Sequence, residues 1–111
     1  GWDFPMLAMT AARLGQREAA VDWLLRDAPN FRFGLAGMTP RVQLEALAAP
    51  GADADAVHFR RVAETYFPSN GALLLAVGMM AGGWEGASGP HPGFPDDGTW
   101  VVRSEGLVPL P

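Results

Sequence analysis

Apolar and polar residues alternate along this chain in blocks that read as short helices separated by glycine and proline. Asp3 can cap a first helix with Pro5 in its opening turn, where a missing N–H costs nothing. The run Met6–Leu14 is apolar on nearly every side, broken only by Thr10 and Arg13. A helix of that kind is buried on more than one face. Gly15 supplies its stop, as a residue that tolerates the left-handed C-terminal conformation. A second helix is expected from about Gln16 to Arg26, with Ala20, Val21, Leu24 and Leu25 inside and Arg17, Glu18 and Asp22 outside. The two form an αα-hairpin with a very short turn.

Beyond the hairpin the pattern weakens. Asn30–Met38 holds Gly34, Gly37 and bulky apolar residues and reads as an ordered loop. Thr39-Pro40 predicts the start of a short helix ending near Ala48, before Pro50-Gly51. Asp53 or Asp55 can cap a further helix over Ala56–Thr65. Pro68-Ser69-Asn70-Gly71 is another start signal, with Ser69 or Asn70 as N-cap for a helix over Ala72–Ala81. That segment has no charge, yet a membrane span needs about 20 apolar residues. It reads as a central core helix ended by Gly82-Gly83. Residues 85–98 form a Gly/Pro loop, Trp100–Arg103 is the one plausible strand, and Leu107–Pro111 is an extended tail.

The 111 residues fit a single domain or a fragment of one, with no internal repeat and no dividing linker. Hydrophobic residues make up 49% and charged residues 18%, which is apolar for a short chain with much surface to cover. Part of that apolar surface is expected to pack against something outside the chain. The net charge is −4 and all eight basic residues are Arg, with only Arg60 and Arg61 adjacent. A phosphate-neutralising patch needs clustered cations, which argues against nucleic acid as partner. With no Cys there is no disulfide framework and no thiolate metal site. The opening Gly1-Trp2-Asp3-Phe4-Pro5 has no initiator Met and no signal pattern and reads as a cut from a longer polypeptide. Localisation stays open.

The search for chemistry is mostly negative. No phosphate loop, nucleophile elbow or metal-binding His pair occurs, so no cofactor or metal is expected. His58 and His91 lie far apart and read as ordinary structural or surface residues. Glycoside hydrolysis commonly uses two carboxyl groups about 5–10 Å apart. Asp3, Glu64, Glu85, Asp96, Asp97 and Glu105 all lie near turns or element ends, so spacing selects no pair and the catalytic residues stay unknown. The aromatic residues Trp2, Phe4, Tyr66, Phe67, Trp84, Phe94 and Trp100 gather at helix ends and loops. Rings on the rim of a helical barrel can stack on the apolar C–H faces of sugars, or they can seal the barrel. The second role suits Phe4, Phe67 and Phe94, which lie beside prolines, and the first suits Trp2 and Trp84.

Three stretches together carry a family resemblance. They are Gly1–Gly15 (GWDFPMLAMTAARLG), Tyr66–Leu74 (YFPSNGALL) leading into Ala76–Trp84 (AVGMMAGGW), and Pro92-Gly93-Phe94-Pro95 followed by Trp100 and Glu105-Gly106-Leu107. The pattern is similar to the C-terminal end of bacterial proteins in the six-hairpin glycosidase superfamily, glycosyl hydrolases of the family 65 or 95 kind. Residues 31–65 have no counterpart in it. The resemblance implies a mainly α fold of αα-hairpins forming part of an (α/α)6 toroid, with helix 72–81 as an inner helix and helix 16–26 as an outer one. It implies a parent that hydrolyses glycosidic bonds in oligo- or polysaccharide with carboxylates lying upstream, so that this chain is not catalytically complete alone. Trp2, Asp3, Asn70 and Trp84 are then the candidate substrate-binding residues. Carbohydrate, and the remainder of the barrel or a second copy, are the expected partners; a membrane is not. A small helical scaffold for protein–protein contacts is the alternative, supported by the repeat-like hairpin Ala11–Leu25. Such arrays need about three copies, and one is visible.

Overall fold

The computed structural model describes residues 1–45 and 58–111. In chain order these form α1 (Asp3–Arg13), α2 (Arg17–Leu24), β1 (Arg41–Glu45), β2 (His58–Ala63) and α3 (Phe67–Gly82). The chain is thus partly helical, with three helices and a two-stranded antiparallel sheet among the described residues.

The α1–α2 hairpin follows the sequence pattern closely. Gly15, at φ 75°, lets the chain reverse while its N–H donates to Ala12 O (3.0 Å) and the Gln16 N–H donates to Ala11 O (2.9 Å). That pair of bonds is a Schellman motif, which satisfies carbonyls the ending helix leaves free. Trp2, not Asp3, occupies the N-cap position, and Asp3 is the first helical residue, where its charge suits the helix dipole. Leu25, expected inside, follows the last helical residue and is exposed.

The three helices meet on small residues. Ala8, Ala12, Ala20 and Ala76 are almost completely buried, joined by Met79 and Met80. Alanines at a helix contact bring the backbones close, and methionine fills the irregular gaps between them. A second cluster closes the end of the hairpin. Phe31 is buried and stacks on Phe4 with ring centroids 5.0 Å apart, while Trp23 tilts against Phe4 at 6.1 Å.

Two predicted helices are strands instead. Thr39–Ala48 gives way to β1, and Ala56–Thr65 gives way to β2, with Arg41 opposite Ala63 and Glu45 opposite His58. Arg41-Val42-Gln43-Leu44-Glu45 alternates polar and apolar, the period of a strand. Pro40 directly precedes β1, where it has no ladder N–H to lose. A register shift between Arg41 and Val42 accommodates the extra residue Val62 on the facing strand. The proposed caps Asp53 and Asp55, residues 46–48 of the first predicted helix and residues 56–57 of the second lie outside the described residues.

α3 begins five residues earlier than expected, with Tyr66 as N-cap and Pro68 in its first turn, so Ser69 and Asn70 are helical and cap nothing. Gly83, at φ 89°, ends it and donates to Met79 O (2.7 Å). No strand forms at Trp100–Arg103. The tail instead returns to the end of α3, where Leu110 and Trp84 make a parallel bridge.

Helices α1 and α3 run in the same direction. Gly1 lies against Ser69 at the start of α3, and the Arg13 guanidinium lies 6.0 Å over the Trp84 ring just past its end. The short turn at Gly15 makes α2 antiparallel to both. None of the described helices is long and apolar enough to cross a membrane.

Candidate functional site

Where the starts of α1 and α3 meet β1, a cleft of about 310 Å³ opens. Trp2, Tyr66, Asn30, Arg41, Pro40 and Val42 line it, so that two aromatic residues, one amide and one arginine border a single space. Each comes from a different local cause. Trp2 and Tyr66 are the N-cap residues of the two parallel helices, so parallel packing brings them to the same end. Arg41 opens β1, which the Thr39–Asn70 contact holds against α3.

That contact is a two-way clasp. The Thr39 N–H donates to Asn70 Oδ1 (2.9 Å), and Asn70 Nδ2 donates back to Thr39 O (3.0 Å). The other Nδ2 hydrogen goes to Tyr66 O (2.8 Å), and the Tyr66 N–H donates to Thr39 O (2.9 Å). Beneath it, the buried Thr39 hydroxyl donates to Ser69 Oγ (2.9 Å). Both Asn70 amide hydrogens are therefore engaged inside the fold. Asn70 holds Pro40, Arg41 and Tyr66 in place and has no N–H left over for a ligand.

The four residues singled out in the sequence do not converge on one point. Trp2, Asp3 and Asn70 lie at the starts of α1 and α3. Trp84 lies past the other end of α3, a helix whose 16 residues span about 24 Å at the usual rise. Trp2 is 49% exposed and free to meet a partner. Asp3 is turned to the Gly1 nitrogen (3.0 Å) and does not line the cleft. Trp84 is half-buried against the core, lies under Arg13 and borders a separate cavity of about 190 Å³ that also reaches Arg17 and Ser88.

Of the rings expected to seal the fold, Phe4 does so against Phe31, and Phe94 packs on Trp100 at 5.8 Å. Phe67 does not, being 78% exposed. Arg41 was not among the sequence candidates, because a helix over 39–48 would have scattered its neighbours. The alternation after Pro40 was the signal that could have found it.

The carboxylates have other engagements. Glu64 pairs with Arg61 (2.9 Å), and Asp96 with Arg17 (3.3 Å). The hydrogen bonds from Thr99 hold the Asp97 carboxyl below its ordinary range, and the Arg32 guanidinium does the same for Asp27. Both shifts favour the ionised form, opposite to what a proton donor requires. His91, at φ 50°, faces the last turn of α3, with Nδ1 2.9 Å from Ala81 O. A carbonyl only accepts, so Nδ1 carries the hydrogen in that contact. No group of three metal-ligating side chains occurs among the described residues.

No family model, curated protein or solved structure matches this chain.

Proposed function

We propose that this chain is the C-terminal part of an (α/α)6 toroid of the six-hairpin glycosidase kind, in which it supplies a sugar-contacting surface but not the catalytic carboxylates. The observation that carries the reading is the cleft at the starts of α1 and α3, with Trp2 and Tyr66 on its wall. Two rings beside polar groups suit a sugar, which offers apolar C–H faces and a rim of hydroxyls.

The helix directions support the same reading. In a toroid of hairpins the inner helices run parallel, each followed by an antiparallel outer one, and the directions of α1, α2 and α3 support a reading of them as inner, outer and inner. The outward face of α3 is apolar and open. Leu74 is 76% exposed and flanked by furrows of about 420 and 520 Å³. Gly71 and Gly78, two turns apart, have open space where a side chain would project. Another helix of a barrel would fit there. The same face also suits a helical scaffold for protein contacts, and sugar binding separates the two.

The test is an NMR titration of the 111-residue chain with malto-, xylo-, manno- and galacturono-oligosaccharides, following the Trp2 indole N–H. A sugar reader shows a saturable shift with at least one of them, kept in Trp84→Ala, and calorimetry with the same sugar shows binding lost in Trp2→Ala. If no oligosaccharide moves the Trp2 signal at millimolar concentration, the proposal fails and the scaffold reading replaces it.

A further inference from the structure

The cleft has an uneven charge. Arg41 lines it, and no Asp or Glu among the described residues does, although the chain has 12 acidic residues and a net charge of −4. Asp3, the carboxylate closest in sequence to Trp2, is directed to the Gly1 nitrogen.

The Arg41 side chain is exposed and forms no ion pair or hydrogen bond among the described residues. Five of the other arginines are engaged, whereas Arg103 on the tail is, like Arg41, exposed and without a partner among the described residues, but it does not line the cleft. Arg13 reaches Pro111 O, Arg17 pairs with Asp96, Arg26 covers the Trp23 ring, Arg32 pairs with Asp27 and Arg61 pairs with Glu64. A guanidinium offers a planar fork of N–H donors that matches a carboxylate with two parallel bonds. Here Arg41 lines the same cavity as the aromatic residues Trp2 and Tyr66.

We infer that the Trp2–Tyr66 cleft takes a sugar bearing a carboxylate, a uronic acid unit, with Arg41 binding the acid group and Trp2 the ring face. This rests on the reading of the cleft as sugar-binding and adds to it the class of sugar. Asn30 lines the same cleft. Arg41 keeps its position through the clasp one turn of chain away, since Thr39 is fixed to Asn70 and Pro40 is buried.

The experiment compares two trisaccharides of the same linkage, α-1,4-linked galacturonic acid and its neutral galactose counterpart, by calorimetry or NMR at low salt. Wild type and Arg41→Gln are each titrated, with unchanged melting temperature as the check on folding. Wild type is expected to prefer the acidic trisaccharide by about 10-fold, as one charge-assisted pair supplies. The preference should shrink as salt is raised. In Arg41→Gln it should fall to within about 2-fold, chiefly through weaker binding of the acidic sugar.

Equal or tighter binding of the neutral sugar by wild type overturns the uronate assignment and leaves the sugar-binding proposal standing. An acid preference that survives in Arg41→Gln overturns the role of Arg41. If neither sugar shifts the Trp2 signal, the uronate assignment falls, and the proposal beneath it is decided by the malto-, xylo- and manno-oligosaccharide titrations.

Discussion

Asn70 forms with Thr39 the same pair of hydrogen bonds that one strand residue forms with its neighbour, through an amide side chain in place of a backbone. Its Oδ1 accepts from the Thr39 N–H and its Nδ2 donates to Thr39 O, at 2.9 and 3.0 Å. A helix therefore holds the approach to a strand without itself being one. Because Thr39 is buried, its hydroxyl also engages Ser69 and its carbonyl also accepts from the Tyr66 N–H, the joint between α3 and β1 is fixed on four polar contacts in a confined space.

Asn70→Asp is accordingly a sharper test than Asn70→Ala. The carboxylate keeps the acceptor for the Thr39 N–H but turns its second oxygen toward Thr39 O and Tyr66 O, where two donors are replaced by repulsion. Leaving part-buried carbonyls without donors costs about 1–3 kcal/mol. Asn70→Asp should lower thermal stability at neutral pH by an amount in that range, and lowering the pH to 3–4 should restore part of it as the acid protonates and regains one donor. Melting curves at both pH values check this. Equal melting of mutant and wild type would show that the clasp does not hold the joint.

Gly93 and Met80 make a second close approach, at the other end of α3. Gly93 donates its N–H to Met80 O (3.0 Å), and a methyl group on Gly93 would come within 2.5 Å of the Met80 Cα. The obstacle is helix backbone, which cannot rotate away as a side-chain tip can. Gly93→Ala is expected to destabilise by about 1–3 kcal/mol, the usual range for overpacking. Gly89→Ala is its control in space, with nothing within 4 Å, although its φ of 78° carries a smaller conformational cost. Urea unfolding of the two variants should rank Gly93→Ala as the more damaging, and the reverse order would mean that the tail yields.

The helices were legible because their signals are local. Gly15 and Gly83 both terminate helices from the left-handed side of the map, where the sequence placed the stops. The hairpin β1–β2 was not legible, because the partners of a strand are remote in sequence and neither segment is long enough to outweigh a Thr-Pro start signal. Arg41 and Ala63 are paired across a stretch that local pattern treats as two separate helices. The cleft suffered for the same reason. Trp2 stood out as an aromatic at a helix start, but its neighbour Arg41 becomes visible only once β1 is known to lie against α3. Trp84 and Trp2 share the chemistry of a ligand surface in the sequence, and only the parallel course of α1 and α3 sends them to opposite ends.

The orientation of α3 was also hidden, and this leads to a prediction about its outer face. Both stripes of the helix lack charge, so no amphipathic signal separates them. Ser69, Ala76, Met79 and Met80 are buried, whereas Phe67, Leu74 and Leu75 are exposed. Leu74 and Ala76 are only two positions apart and lie on nearly opposite sides, as 3.6 residues per turn requires. A surface replacement such as Leu74→Arg should therefore change the stability of the isolated chain by no more than about 0.5 kcal/mol. Met80→Ala removes a fully buried side chain and should cost about 2–5 kcal/mol. The open face is a contiguous apolar patch, which drives association when left uncovered. Sedimentation of the wild-type chain should show self-association that rises with concentration, and Leu74→Arg should shift it toward monomer while chemical denaturation stays nearly unchanged. Loss of folding in Leu74→Arg would mean that this face already belongs to the core. A wild-type chain that stays monomeric at high concentration would remove the need for a covering partner, and with it one of the supports for a larger helical assembly.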